Sequence, residues 1–461
     1  MQKFSVLLAA ILFISVFDAD AQRRLTTYES LLQRTDRPSS YVDHVLLPAD
    51  DSSTQFTVIF RIDYDFLPFL RIRSDMAPPR ADAEYFAPLR MGLEVFEGTA
   101  PTSRRASNAP SVFRDAWQDT IWVDTFEETK SRTDYTQGFI HTLLDEGVYH
   151  YELQLARAGS VREQSSSRRN FTVENYEESE QSEFILLSNL SVSGNQLNGT
   201  LLNYGNNVLY GQDYHLLIKL PAETAVETDE FTLNIHRLSS GSSDDGDIRH
   251  TETISTDQIV NLSSARVFKD DEEISLQADL NNEGVRYAYV EIPNQEFENA
   301  RYRFRLMTEG RDEPIGERTI NSQWIDMPVS LYNLDVAIEM LKFIVDDNEL
   351  RRINSGSTSE RERKFREFWA QRDPTPDTEF NELMAEYYRR IDHAYENFSS
   401  LQTPGYETDQ GRAYILYGAP DNIERRLPTN APTREVWEYP NRTLIFEATT
   451  GFGDFRLVSE S

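Results

Sequence analysis

Apolar and polar residues alternate with a period of two from about Tyr41 to Met327, and a period near 3.6 takes over from Ser330. In "TQFTVIFRIDY", Phe56, Val58, Phe60 and Ile62 share one face of a strand, and Thr57, Ile59 and Arg61 the other. "RMGLEVFE" and "DTIWVDTF" repeat the alternation. "GVYHYELQLARAGSVREQSSSRRNFTV" reads as a hairpin, with Tyr149, Tyr151 and Leu153 inward and a turn near Gly159. Short alternating strands separated by turns predict an antiparallel sandwich over residues 41–175. The acidic stretch "YEESEQSE", residues 176–183, has no apolar face and reads as a solvated linker.

A second β block covers residues 184–329, with "QLNGTLLNYGNN", "DYHLLIKL", "FTLNIHRL", "EISLQADL" and "YAYVEIP" as strands. It ends in "ARYRFRLMTEGRDEPIGERTINSQW", where Tyr302, Phe304 and Leu306 match Tyr149, Tyr151 and Leu153. Both runs enter a polar hairpin turn, which suggests two sandwiches of one general, immunoglobulin-like plan. The last block, 330–461, starts helical. Leu334, Ile338, Leu341 and Val345 share one face. A second helix begins at Ser359, which has capping-box spacing to Glu362, and stops before Pro374. The third carries Phe380, Leu383, Met384, Tyr387, Ile391, Ala394, Tyr395 and Phe398 at i, i+3, i+4 and i+7. Four strands are expected after it, "RAYILYG", "EVWEY", "RTLIFEA" and "DFRLV", which makes the block an α+β unit of three helices and a small antiparallel sheet.

The N-terminus adds a compartment. Lys3, an apolar run from Phe4 to Phe17 and the pattern Ala19-Asp20-Ala21 before Gln22 read as a signal peptide, residues 1–21. A membrane span would need about 20 apolar residues, and Asp18 and Asp20 end this run early. The expected mature protein is exported and not integral to the membrane. Its place is the periplasm, the periphery of the outer membrane or the exterior. There is no cysteine, so disulfides and thiolate metal sites are excluded. A formal net charge of −31 disfavours nucleic acid and anionic membrane as partners. Six lysines stand against 40 arginines, an acidic, lysine-poor surface that suits salty surroundings.

"KFREFWAQRDPTPDTEFNELMAEYYRRIDHAYENF" followed by "GYETDQGRAYILYGAPDNIE" resembles the GWxTD domain of exported bacterial proteins. "FW" with "RDP", the pair Asn381-Glu382, a segment closed by Gly418 and Pro420, then "EVWEY" and "GFGDFRLV" occur in that order, so the resemblance runs from Ser330 to Val458. Tyr406 stands where the family has Trp. The resemblance implies a fold and an exported protein, and no enzymatic activity is attached to it. The family-motif positions are Gly405, Tyr406, Thr408, Asp409, Gly411, Arg412, Gly418, Pro420, Asp421 and Trp437. Their chemistry reads as architecture. Gly405 and Gly411 allow tight turns, and Thr408 and Asp409 bond nearby backbone N–H groups. Asp409 and Arg412 are placed to pair, Gly418 ends the strand, and Pro420 with Asp421 opens a turn. The layout is also similar to a small lipoprotein of the outer-membrane β-barrel assembly machinery, a kind of module that acts as a protein-interaction adaptor.

Candidate chemistry is sparse. None of the seven histidines has a compact ligand spacing, and there is no G-x-S-x-G, P-loop or dinucleotide fingerprint. No catalytic residue, metal ligand or cofactor is therefore expected. His215 and His236 fall in strands and His393 on the third helix, as packing residues. The acids Asp244, Asp245 and Asp247 lack EF-hand spacing and read as a loop. The expectation is an exported, non-enzymatic interaction protein of the cell envelope whose partner is another envelope protein. The alternative is an envelope glycan-binding protein or a glycan hydrolase, with exposed tryptophans and two carboxylates roughly 5–9.5 Å apart across a cleft.

Overall fold

The computed structural model describes residues 28, 31, 38–49, 53–73, 75–102, 109–131, 133–157, 164–165, 168–176, 178–222, 230–239, 245–400, 403–427, 432–449 and 455–461. The expected signal segment, the turn near Gly159 and Asp244 lie outside them. The fold is mostly antiparallel β-sheet, with a few helices and a small antiparallel sheet near the C-terminus. It divides into two compact units, residues 38–326 and residues 1–37 with 327–461.

In the first unit, β1 (Ser40–Pro48), β2 (Thr54–Asp63) and, further along, β6 (Tyr135–Leu144) form one sheet in the order β1-β2-β6. A second sheet is built on β4 (Tyr85–Glu97), flanked by β3 (Leu70–Arg71), β5 (Ser111–Val123) and β7 (Gly147–Arg157), with β8 (Gln164–Ser165) and β9 (Arg169–Val173) beyond β7. The two sheets share a core in which Phe56, Val58 and Phe60 meet Leu93, Val95 and Tyr151. The predicted inward faces of β2 and β7 are the ones used.

Farther along come β10 (Glu183–Ser193), β11 (Gln196–Leu201), β12 (Asn207–Leu209), β13 (Tyr214–Lys219), β14 (Phe231–Leu238) and β15 (Asp245–Ile254). They are followed by β16 (Ile259–Asp270), β17 (Glu273–Leu280), β18 (Val285–Ile292), β19 (Arg301–Thr308) and β20 (Gly316–Gln323). Strands β10-β11-β17-β16-β18-β13 close into a barrel, and β12-β20-β19-β14-β15 form a sheet whose β12–β20 pair is parallel. The first half of β10 is covered on both faces. Phe184 and Leu186 pack with Phe231 and Phe304 of the sheet, whereas Ile185 and Leu187 pack with Leu276 and Tyr287 of the barrel.

Val45 and Leu47 of β1 and Ile59 of β2 enter that same barrel core. Every residue of β2 is buried as a result. The polar side of its alternation faces protein rather than water. Thr57 is completely buried, and Arg61 lies 3.3 Å from the centre of the Tyr135 ring, 4.2 Å from that of Tyr204 and 3.5 Å from Asp63.

The second unit contains α1 (Leu334–Met340), α2 (Asp347–Ile353), α3 (Thr358–Ala370), α4 (Glu382–Phe398) and α5 (Asp409–Tyr417). The sheet follows, β21 (Asn422–Arg426), β22 (Arg434–Tyr439), β23 (Arg442–Ala448) and β24 (Phe455–Glu460), in sequence order. Three sequence expectations need correction here. Residues 330–461 have five helices among those described rather than three, because α2 is separate and "RAYILYG" is the body of α5 rather than a strand. The capping box of α3 is Ser357 with Glu360, not Ser359 with Glu362: the Glu360 carboxylate accepts from the Ser357 N–H at 2.7 Å and the Ser357 hydroxyl from the Glu360 N–H at 3.4 Å. Asn381 precedes α4 as its cap, accepting from Met384 N–H at 2.7 Å and donating to the Trp369 carbonyl at 3.0 Å.

Candidate functional site

The stretch Pro404–Arg412 turns the chain between α4 and α5. Residues 405–407 make one 3-10 turn, and Thr408 then caps α5, accepting from the Gly411 N–H at 3.0 Å while donating to the Gly405 carbonyl at 2.7 Å. The turn is pressed against the end of α4. A Cβ on Gly405 would lie 1.8 Å from the Ala394 carbonyl oxygen, and one on Gly411 would lie 1.8 Å from the Gly405 oxygen. Neither position admits a side chain, so the two glycines set how closely the two helices approach.

Side chains fasten the turn in four directions. Tyr406 is fully buried, tilted against Tyr28 at 5.7 Å and stacked on Tyr395 at 6.0 Å. Glu407 takes an ion pair from Lys342 and one from Arg412 at 3.1 Å. Burial alone would raise the Glu407 carboxyl, but the hydrogen bonds and charges of Lys342 and Arg412 outweigh it and hold the group below the usual range. Asp409 does not pair with Arg412 as expected; its Oδ2 accepts from the Leu457 N–H of β24 at 2.9 Å. Gln410 donates to Glu435 of β22 at 2.7 Å.

At the far end of α5, Gly418 is the C-cap with φ +80°, and its carbonyl accepts from the Tyr439 hydroxyl at 3.1 Å. The helix thus ends where a strand end was expected, on the same glycine. Pro420 lies in the link to β21, and the Asp421 N–H donates to the Glu438 carbonyl at 2.8 Å. Trp437 is buried against Phe398 and Phe446, in a core with Ala413 and Leu444. His393 stacks on Tyr414 at 4.1 Å, and burial lowers its pKa. All ten motif positions fall in this helix–turn–helix, the sheet it covers and the link between them, although Arg412 and Asp421 are exposed. Among the described residues, no group of three or more His, Asp or Glu is arranged to hold a metal ion.

This is the pattern of a recurrent structural module. Residues 328–453 match the family model of the GWxTD domain. A comparison with curated proteins finds no match. The GWxTD motif here is a brace, with its short oxygens used on backbone N–H groups and its aromatic ring in the core. Tyr406 is buried in that core. Sequence reasoning missed Tyr28, 364 positions from the residue its hydroxyl meets, and no local pattern could have shown it.

The larger unit holds a cleft of about 770 Å³ where β1, β9, β10 and β20 meet. Asp43, His44, Arg169, Glu183 and Arg318 line it, and no tryptophan does. Its charges are engaged internally. Arg318 pairs with Asp43 at 2.5 Å and donates to Asn206 at 3.0 Å, and Glu183 pairs with Lys219 at 3.2 Å. Burial lowers the pKa of His44, and the nearby Arg318 and Arg169 act in the same direction against Asp43. No helix among the described residues is long and apolar enough to cross a membrane.

Proposed function

We propose that this is an exported, non-enzymatic interaction protein of the bacterial cell envelope, with the GWxTD domain as its partner-binding adaptor. The observation that carries the reading is β21. It stands at the edge of the small sheet and is exposed at all five positions. Ile423 on it is 53% exposed and Leu427 just after it 75%. An edge strand with exposed apolar residues can accept an added strand from another protein, with backbone hydrogen bonds giving affinity and side chains specificity. Glu424, Arg425 and Arg426 on the same strand would select the partner and discourage indiscriminate pairing.

In this reading residues 1–21 are the signal peptide and the protein works in the periplasm, at the outer-membrane periphery or outside. Residues 41–175 and 184–329, joined by 176–183, are two immunoglobulin-like sandwiches that present the domain at 330–461. A shared detail supports the repeat. The Tyr149 hydroxyl donates to the Asp145 carbonyl and the Tyr302 hydroxyl to the Glu298 carbonyl, each four residues upstream at 3.1 Å. Such a bond from the start of a late strand is a tyrosine corner, a recurring feature of Greek-key sandwiches. The glycan alternative draws no support from the 770 Å³ cleft, whose acids are paired and which no tryptophan lines.

The test is cross-linked co-purification of the tagged protein from its native envelope, followed by mass spectrometry. A reproducible partner should be lost on deleting residues 330–461, and also with Ile423→Glu plus Leu427→Glu in a chain that melts normally. An empty result at good yield overturns the proposal and makes glycan-array binding the next experiment.

A further inference from the structure

The core of the GWxTD domain is completed from outside the matched segment. Tyr28, whose ring is 1% exposed, belongs to the same core as Ile338, Trp369 and Ile391. It stacks on Tyr395 of α4 at 4.2 Å and lies against Tyr406 of the motif at 5.7 Å. Its hydroxyl donates to the carboxylate of Asp392. Leu31, one helical turn further, is also buried, and both residues are helical.

The acceptor is held independently of its guest. The Asp392 carboxylate takes backbone N–H groups from Val329 at 2.5 Å and Ser330 at 3.3 Å. These bonds orient it and oppose burial, which outweighs them and raises its pKa. A phenol satisfies such a group, whereas a phenylalanine would leave it short of a donor.

We propose that α4, the GWxTD turn and the Val329-Ser330 backbone form a docking groove for a short tyrosine-bearing segment, and that its occupant is the chain's own N-terminal segment around Tyr28. The domain would then be closed by a strap rather than by a continuous stretch of chain. Covalent connection supplies the strap at high effective concentration, so the groove need not bind it tightly to stay filled. This inference does not depend on the strand-addition proposal, because it uses another face of the domain and another partner.

Two experiments test it. In the full mature chain, a protease site is placed within residues 33–36 and cut, and the products are separated by size exclusion. The short N-terminal fragment should stay with the body until a denaturant is added. With Tyr28→Ala it should leave at once, and with Tyr28→Phe it should leave about tenfold faster than wild type. Loss of the wild-type fragment at the Tyr28→Ala rate overturns the proposal. This arm does not require a truncated chain to fold. In the second experiment, the full mature chain carrying Tyr28→Ala, whose own segment should have left the groove, is titrated with a labelled peptide of residues 22–37. Saturable binding is expected, weakened about 100-fold or more by Tyr28→Ala in the peptide. Absence of binding, or equal binding by a scrambled peptide, overturns the inference.

Discussion

Replacing Asp409 with Ala tests whether the GWxTD motif is a brace. The Asp409 carboxylate does two things in the structure. It accepts the Leu457 N–H at 2.9 Å, tying the start of α5 to the last strand, and it is a negative charge in the first turn of that helix. A hydrogen bond to a charged group is worth about 1.5–3 kcal/mol, and a first-turn carboxylate about 0.3–1 kcal/mol. Alanine should therefore cost about 3 kcal/mol. In a unit of this size that corresponds to a fall of roughly 10 °C in melting temperature. Asparagine keeps an oxygen for Leu457 and loses the charge, so it should cost about 1–2 kcal/mol.

The assay is calorimetry of the full mature chain together with hydrogen exchange of the C-terminal peptide that contains Leu457. The Ala variant should lose protection at that amide, and the Asn variant should largely keep it. Arg412→Ala serves as control. Arg412 is exposed and pairs only with Glu407 among the described contacts, so its loss should cost less than about 1 kcal/mol. If Asp409→Ala melts within about 1 °C of wild type, or if Arg412→Ala proves the more damaging, the brace is wrong.

Other outcomes follow from the same geometry. Gly405→Ala should destabilise the domain by about 3 kcal/mol or more, because its Cβ would overlap the Ala394 carbonyl at 1.8 Å; a urea titration of the variant reads this directly. The Glu407 carboxyl is held low by Lys342 and Arg412, so its stabilising contribution is complete above the ordinary glutamate range and is lost as pH falls through its depressed value. Glu407→Gln should accordingly weaken the protein at pH 7, with the difference from wild type shrinking to nothing in strong acid; a gap that persists there would mean that the ion pairs are not its cause. Finally, the formal charge of −31 predicts that adding salt to a low-salt sample raises the melting temperature, and a flat response would show that self-repulsion is not a significant cost.

The sequence and the structure part company where local evidence points two ways, and α5 shows how. "AYILY" is rich in aromatic and branched residues, the composition of a strand, and its alternation would place Tyr414 and Leu416 opposite Ile415 and Tyr417. The competing signals were also present. Thr408 stands three residues before Gly411, Asp409 opens the first turn, and Gly418 closes the segment, which is how a helix starts and stops. A nine-residue helix offers too few turns for its period to overrule composition, so the caps are the better witnesses. The exposure of Leu416, 46%, fits the helix, since a strand covered on both faces would have hidden it.

Burial on a second face was illegible for a different reason. Period two along β2 distinguishes apolar from polar positions, but not water from another layer of protein. Ile59 was the one hint that Thr57 and Arg61 face the barrel half of the unit. Tyr28 has Leu25, Leu31 and Leu32 at helical spacing, but that local pattern names none of its partners, which lie more than 300 positions away. Both cases have one physical root. Periodicity reports the face an element shows to its nearest neighbours, whereas closure of a core by distant chain depends on contacts that leave no local repeat. The motif glycines escape this limit because their requirement is local, a backbone approach that excludes a Cβ. The turn at Gly405 is therefore legible as architecture in the sequence, although the helix beside it has the composition of a strand.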